Sequence, residues 1–187
     1  TRTDYPMRGD SLRVSGKVSE YFDQTQITAS AIEKLTEALA APKAVEIDTL
    51  PAGDEAREPY EGMLVRPEGP YTVTNNYTLN NTGDLGLAPG ERAHRTPTDV
   101  VSPGDEAKAL QAKQDAEVVY LDDGRTANYF RTDKNTPLPY IVTSDNGVKS
   151  IRTGDRVDFQ TDVVVDYSFD QWRFQPLQPI TGKNATE

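Results

Sequence analysis

The residues most able to do chemistry are few. His94 is the one histidine, and it lies between Arg92 and Arg95. With Arg66, Arg125, Arg131 and Lys134 these side chains can make a local cationic surface, and Tyr129 and Phe130 supply rings beside it. Cations that neutralise phosphates, joined to rings that stack on bases, are what single-strand-binding barrels use. A solvated polar loop is the competing reading. Asp122-Asp123-Gly124, helped by Asp84, Asp145 or Asn146, offers oxygen ligands to a hard cation such as Ca2+. The spacing is not that of an EF-hand loop, and an acidic turn closed by glycine is common punctuation. Tyr21, Tyr167, Phe169 and Trp172 read as hairpin core, with a ligand platform as the alternative.

The rest of the composition narrows the field. There is no cysteine, which excludes disulfides, thiolate metal sites and cysteine nucleophiles. A single imidazole excludes multi-histidine metal centres. Lys and Arg number 20 against 30 Asp and Glu, so the net charge is −10. Such a chain repels phosphate backbones and anionic lipid heads in bulk, and only a local patch can attract them. No apolar run is long enough to span a bilayer. Hydrophobic residues make up 35 % of the 187, which predicts a modest core with long loops.

The elements that must position these groups are mostly strands. Residues 10–27 read as a hairpin, with Leu12, Val14 and Val18 on one parity, Gly16 at a bulge and a turn at residues 21–24. Residues 29–39 stay open between a short helix and a strand: Ile32, Leu35 and Leu39 have helical spacing, with Ser30 as a capping hydroxyl and Glu33 at its third position. Strands are expected at 45–50, 61–66, 71–79, 84–87, 117–121, 140–143 and 148–151. Residues 54–60 suit one or two helical turns. Ser102-Pro103 opens the best helix signal, running to Asp115 with Asp105 and Glu106 in its first turn. Asn75-Asn76 inside a strand pattern predicts a bulge or a hydrogen-bonded corner. A closing hairpin is expected over 157–167 and 172–177.

Two of these segments match. Gly9-Asp10-Ser11-Leu12-Arg13-Val14 sets beside Gly154-Asp155-Arg156-Val157-Asp158-Phe159 as Gly-Asp-x-aliphatic-x-apolar. With one inserted residue Tyr21 meets Tyr167, and with another Asp23-Gln24 meets Asp170-Gln171. The repeat also makes Arg8-Gly9-Asp10 a strand-opening turn rather than the adhesive tripeptide it spells. Paired hairpins of this kind close small antiparallel barrels, of which the oligonucleotide/oligosaccharide-binding (OB) barrel is one.

The order of residues 9–30, 60–87, 96–107, 119–128 and 153–176 resembles that of bacterial extracellular nucleases. In these, OB-like domains precede a catalytic domain of the endonuclease/exonuclease/phosphatase superfamily. The resemblance implies a metal-bound carboxylate, Asp-Asn groups and at least two histidines in that catalytic domain. Here Ser144-Asp145 is followed by Asn146 rather than histidine, and the Gly-Asp pairs at 9, 53, 83, 104 and 154 never extend to Gly-Asp-x-Asn. No catalytic residue carries over.

The fold expected is therefore mainly β: an OB-like antiparallel barrel with one α-helix and long loops over residues 44–180, preceded by part of another OB-like barrel over 1–43 and followed by a linker at 181–187. The function implied is a non-catalytic accessory region of a secreted or cell-surface bacterial nuclease. Its partners would be the catalytic domain of the same polypeptide and, weakly, single-stranded or duplex DNA, with no membrane span. No cofactor is expected beyond Ca2+ at Asp122 and Asp123, and Mg2+ or Mn2+ would belong to the catalytic domain. A carbohydrate- or cell-wall-binding module and a stand-alone metal-dependent hydrolase are the alternatives.

Overall fold

A computed structural model describes residues 5–144 and 147–181. Asp145 and Asn146, and the linker beyond Thr181, lie outside the described residues. The chain is mainly β. Its first unit is a hairpin of β1 (Leu12–Tyr21) and β2 (Gln24–Lys34). The two-residue turn Phe22-Asp23 has positive φ at both positions, 50° and 59°, which matches the right-handed twist of the flanking strands. The ladder slips between Ser15 and Gly16. A Cβ on Gly16 would sit 2.4 Å from the Thr28 carbonyl oxygen, so the bulge requires glycine. Of the short helix and the strand open to residues 29–39, the strand forms: β2 runs through Lys34. Pairing of Ala31, Ile32 and Glu33 with Ser15, Val14 and Arg13 satisfies the backbone along the whole ladder and overrides the helical spacing. Ser30 donates its hydroxyl to the Ser15 carbonyl (3.1 Å) instead of capping a helix.

The second unit begins with β3 (Val45–Ile47) and the short α1 (Asp54–Arg57). Then come β4 (Leu64–Pro67), β5 (Tyr71–Asn75) and β6 (Leu85–Pro89). The helix α2 (Asp105–Glu117) leads into β7 (Val119–Leu121). A separate pair, β8 (Ile141–Ser144) and β9 (Gly147–Ser150), precedes β10 (Arg156–Val157), β11 (Val163–Ser168) and β12 (Gln171–Pro176). Eight strands form one sheet in the order β10-β5-β6-β7-β12-β11-β4-β3. Its end strands are not paired with each other, so the sheet is not closed. The expected closing strand at 157–167 is interrupted, with β10 on β5 and β11 on β4. Both ladders nevertheless fall on one antiparallel register: Val163 faces Val65, and six residues along each chain Val157 faces Tyr71. β12 lies antiparallel to β11 and parallel to β7.

Three smaller expectations are corrected. The strand at 71–79 stops at Asn75, where the register shifts and the Asn75 Oδ1 accepts the Tyr77 N–H (2.9 Å). The helix starts two residues late, at Asp105. Gly104 at φ +136° occupies its N-cap, and neither Ser102 nor any other side chain caps it. Of the aromatics assigned to the core only Trp172 is buried. Tyr167 packs at the margin, and Tyr21 and Phe169 project into solvent.

The core is where the sheet faces meet. Val65, Tyr71, Val73, Leu85, Leu87, Val119 and Phe174 are all buried there, with Tyr71 and Phe174 edge-to-face at 5.7 Å. The Tyr71 hydroxyl accepts the Leu50 N–H (2.8 Å), and burial pushes its pKa up to about 12. Tyr129 and Tyr140 are also raised, first by burial. The folded state therefore keeps phenol protons that the unfolded chain loses above its tyrosine value of about 10, so alkali favours unfolding. Urea unfolding is expected to show stability falling by roughly 2–3 kcal/mol from Tyr71 alone as pH rises from about 10 to about 12. A flat profile there would refute the assignment.

Candidate functional site

Among the described residues, a dense cluster of buried ionisable groups sits where β6, β7 and β12 lie side by side. Their pairing brings Asp84, just before β6, Asp122 and Asp123, just after β7, and Arg173, within β12, to one place. Arg173 Nη1 lies 3.1 Å from Asp84 Oδ1 and 3.4 Å from Asp122 Oδ2. Thr82 donates its hydroxyl to Asp84 Oδ2 (2.9 Å). Asp122 Oδ1 accepts the Gly124 N–H (2.7 Å), and Asp123 Oδ1 accepts the Arg125 N–H (2.9 Å). Tyr129 donates its hydroxyl to Asp123 Oδ2. Tyr140, whose hydroxyl lies 3.4 Å from the Asp122 carbonyl oxygen, closes the cluster.

Burial dominates the electrostatics. It raises the pKa of Asp122 and Asp123 above the usual carboxylate range, against the opposing pull of Arg173 on the first and of the Tyr129 hydrogen bond on the second. Five of the six carboxylate oxygens of the three aspartates accept a protein hydrogen bond, and the sixth, Asp84 Oδ1, is ion-paired to Arg173. A cation entering beside Asp122 and Asp123 would have to share or displace those donors. Among the described residues no three acidic or histidine side chains converge as a metal-binding group.

Gly83 is fixed by the same cluster. Its φ is +82°, and a Cβ there would lie 2.5 Å from Asp123 Oδ2. Gly83→Ala is therefore expected to cost about 1–3 kcal/mol in urea unfolding, from left-handed strain and overpacking together. A cost below a few tenths would show that the loop yields freely.

The cationic residues singled out in the sequence sit on different elements, several with partners of their own. Arg66 on β4 pairs with Asp162 (2.6 Å). His94 lies beside α2 with its Nε2 3.2 Å from Glu117, and its N–H donates to Thr74. Arg95 donates to the Asp99 carbonyl (3.1 Å). Arg125, Arg131 and Lys134 lie on the long loop after β7. Tyr129 is buried with its hydroxyl engaged, so it cannot stack on a base, whereas Phe130 is exposed. Asn80, Phe130, Lys134 and Leu138 line a depression of about 400 Å³.

An open groove of about 470 Å³ runs between α2, the end of β5, β7 and the β11–β12 turn. His94, Arg95, Asn75, Gln111, Gln114 and Tyr120 are among its walls. Gln114 holds the Arg95 segment against the helix by donating to the Arg95 carbonyl (3.0 Å).

Two important residues carried no signal in the sequence. Arg173 sits between Trp172 and Phe174 in an apolar strand, and only the parallel neighbour β7 reveals its partners. Arg57 lies in an acidic run that looks solvated. It is buried, and its guanidinium donates to the carbonyls of Pro51 (2.6 Å), Val118 (2.8 Å) and Glu117 (2.9 Å). The chain matches no protein-family model, no curated protein and no solved structure.

Proposed function

We propose that this chain is a non-catalytic β module that spaces and orients a catalytic domain of the same polypeptide, as the accessory region of a secreted or cell-surface bacterial nuclease. The observation that carries the reading is the tandem of two like hairpins joined by specific polar contacts. Gln24 at the tip of the first donates to Asp166 on β11 of the second (2.8 Å), and the Thr25 N–H donates to Glu61 (3.1 Å). Arg8 donates to the Leu177 carbonyl. Such contacts suit a rigid spacer.

The finer fold belongs to the same proposal. β4 and β5 act as two halves of one bent strand, and β10 and β11 as two halves of its partner, since both ladders share a register. Together with the parallel β7–β12 pair this gives the strand arrangement of a five-stranded OB-like barrel. The groove beside α2 lies on the β5–β7 face and next to the β11–β12 turn, where such barrels hold extended polymers. Arg95 is its cationic side chain, with the His94 imidazole beside it. DNA held there would be bound weakly, given the overall negative charge.

The test has two arms. Purified chain with Mg2+ or Mn2+ is expected to leave DNA intact, and turnover would overturn the non-catalytic reading in favour of a hydrolase. Titration with a single-stranded oligonucleotide is expected to show weak binding that high salt abolishes. A second reading, a carbohydrate- or cell-wall-binding module, is favoured by the amide groups of Asn75, Gln111, Gln114 and Gln171 in the groove, which suit sugar hydroxyls. Retention on an immobilised glycan, with no oligonucleotide binding at low salt, would select it.

A further inference from the structure

The end strands of the large sheet, β10 and β3, have two and three residues, short edges that resist pairing with another chain. β1 is different. It has ten residues and no proline, and among the described residues β2 is its sole strand neighbour. A two-stranded ribbon is marginal in water, and stability comes with three or more strands that share an apolar face. The second hairpin shows the contrast. Its turn, Phe169-Asp170, has positive φ at both positions, as Phe22-Asp23 does. Matching the turns corrects the sequence alignment by one residue, so that Tyr21 falls on Ser168 and β1 falls on β11. β11 carries the antiparallel β4 on its outer edge, where β1 has no strand among the described residues.

The alternation along β1 fixes which backbone groups face out. The two-residue turn makes Tyr21↔Gln24 a hydrogen-bonded pair. The backbone groups of Ser19 and Lys17 therefore point to β2, and those of Glu20, Val18 and Gly16 point away. Thr25, opposite Glu20, follows the same alternation, since its N–H donates outward to Glu61. The inserted residue of the bulge, Ser30, is on β2, so the alternation along β1 continues unbroken to Val14 and Leu12. Val14 and Val18 thus join an outward backbone to a side chain on the apolar face, which they share with Ile27 and Ile32. They are 41 % and 62 % exposed, so this edge is reachable. The β2 edge is not equivalent, because Glu61 occupies it near the turn and the bulge breaks its spacing.

We propose that β1 pairs edge to edge with β1 of a second copy of this chain, antiparallel about a two-fold axis at Gly16. Gly16 then faces Gly16, Val14 faces Val18, and Leu12 faces Glu20 of the other copy. Each opposed pair exchanges two backbone hydrogen bonds, about ten in all. The ribbon becomes part of a four-stranded sheet whose apolar face carries Val14, Val18, Ile27 and Ile32 from each copy. Charge selects this register. On the polar face Arg13 meets Ser19 and Lys17 meets Ser15, so no like charges are opposed. Sliding by two residues sets Lys17 against Lys17 in one direction and Arg13 against Lys17 in the other, and both are repulsive. Sliding by one puts the valines of one copy on the polar face of the other. An isologous contact of this kind closes at two copies. The inference does not depend on the proposed function.

The chain has no cysteine, so single cysteines report the register cleanly. Ser15 and Lys17 of opposite copies form a pair without mutual backbone hydrogen bonds, where the Cβ atoms come within disulfide reach. An equimolar mixture of Ser15→Cys and Lys17→Cys chains, oxidised at about 1 mM, is expected to give the mixed disulfide at least about 10-fold over either like pair, against about 2-fold for random collision. In sedimentation the unmodified chain is expected to move from the mass of one chain towards twice that mass as its concentration rises to about 1 mM. Val18→Pro removes an outward N–H, which an edge strand tolerates, and should weaken the association at least about 10-fold. The disulfide result holds whether or not the proline variant keeps its hairpin. A chain that stays monomeric throughout, a Lys17→Cys like pair that equals or exceeds the mixed one, or a dimer that Val18→Pro leaves intact would each overturn the proposal. The last result would mean stacked faces rather than paired edges.

Discussion

Replacing Arg173 with methionine is expected to lower stability by about 3–5 kcal/mol, the cost of leaving buried charges without their partner. The guanidinium is the cation between Asp84 and Asp122, and its Nη2 also donates to Gln171 Oε1 (2.9 Å). Methionine fills much of the volume but donates nothing. The pH dependence separates this account from simple loss of packing. Burial already holds the Asp122 pKa above the usual range, and Arg173 opposes that shift. Without the arginine the folded pKa moves further above the unfolded one. The folded state then binds a proton that the unfolded state releases, so the variant regains stability as pH falls through the raised value. Urea unfolding at about pH 8 and about pH 5 should show the deficit shrinking at the lower pH. Adding Asp84→Asn to the variant should recover part of the loss. A deficit below about 1 kcal/mol, or one independent of pH, would show that the ion pairs contribute no more than exposed ones do.

Arg57→Met is the second large effect, about 3–5 kcal/mol, seen as a fall of roughly 8–15 °C in Tm for a chain of this size. Here, among the described residues, no carboxylate is ion-paired with the buried cation. It is held by three carbonyl oxygens, two of them at the C-terminal end of α2, where the helix dipole favours positive charge. Burial draws its pKa down. Methionine would strand those carbonyls between α1 and the start of β7, each without water. Lysine can reach one or two of the three acceptors, so Arg57→Lys should recover less than half of the loss. A Tm change under about 3 °C for Arg57→Met would mean that solvent reaches those carbonyls.

Much of the fold was legible because the signals were local. Strand parity, Gly-Asp turns and the acidic first turn of α2 placed both hairpins and the main helix. What failed was settled by distant partners. Ile32, Leu35 and Leu39 have helical spacing, yet the ladder with β1 claims residues up to Lys34. The stretch 157–167 looks continuous, but β10 and β11 pair with separate parts of the β4–β5 segment. The candidate site was half visible. Asp122, Asp123 and Asp84 were named as oxygen donors from the turn chemistry. Their neighbours Arg173 and Tyr140 are distant in sequence, and nothing in the polar loop marks Tyr129 as buried rather than available to stack. The basic set falls on three separate stretches, Arg66 on β4, Arg92, His94 and Arg95 before α2, and Arg125, Arg131 and Lys134 on the loop after β7, and their spacing alone could not say how these stretches lie.

The parallel contact between β7 and β12 has a consequence for synthesis. β12 is the last strand of the sheet to leave the ribosome, yet it occupies an interior position between β7 and β11. Until it emerges, the nascent chain holds two unjoined half-sheets with open edges, β7 on one and β11 on the other, and with much of its apolar surface wet. Long-range closure of this kind is slow and exposes the chain to aggregation. Truncation anywhere before Gln171 should therefore give insoluble product rather than a smaller folded unit, and translation through the final hairpin is the step that commits the molecule to its native topology.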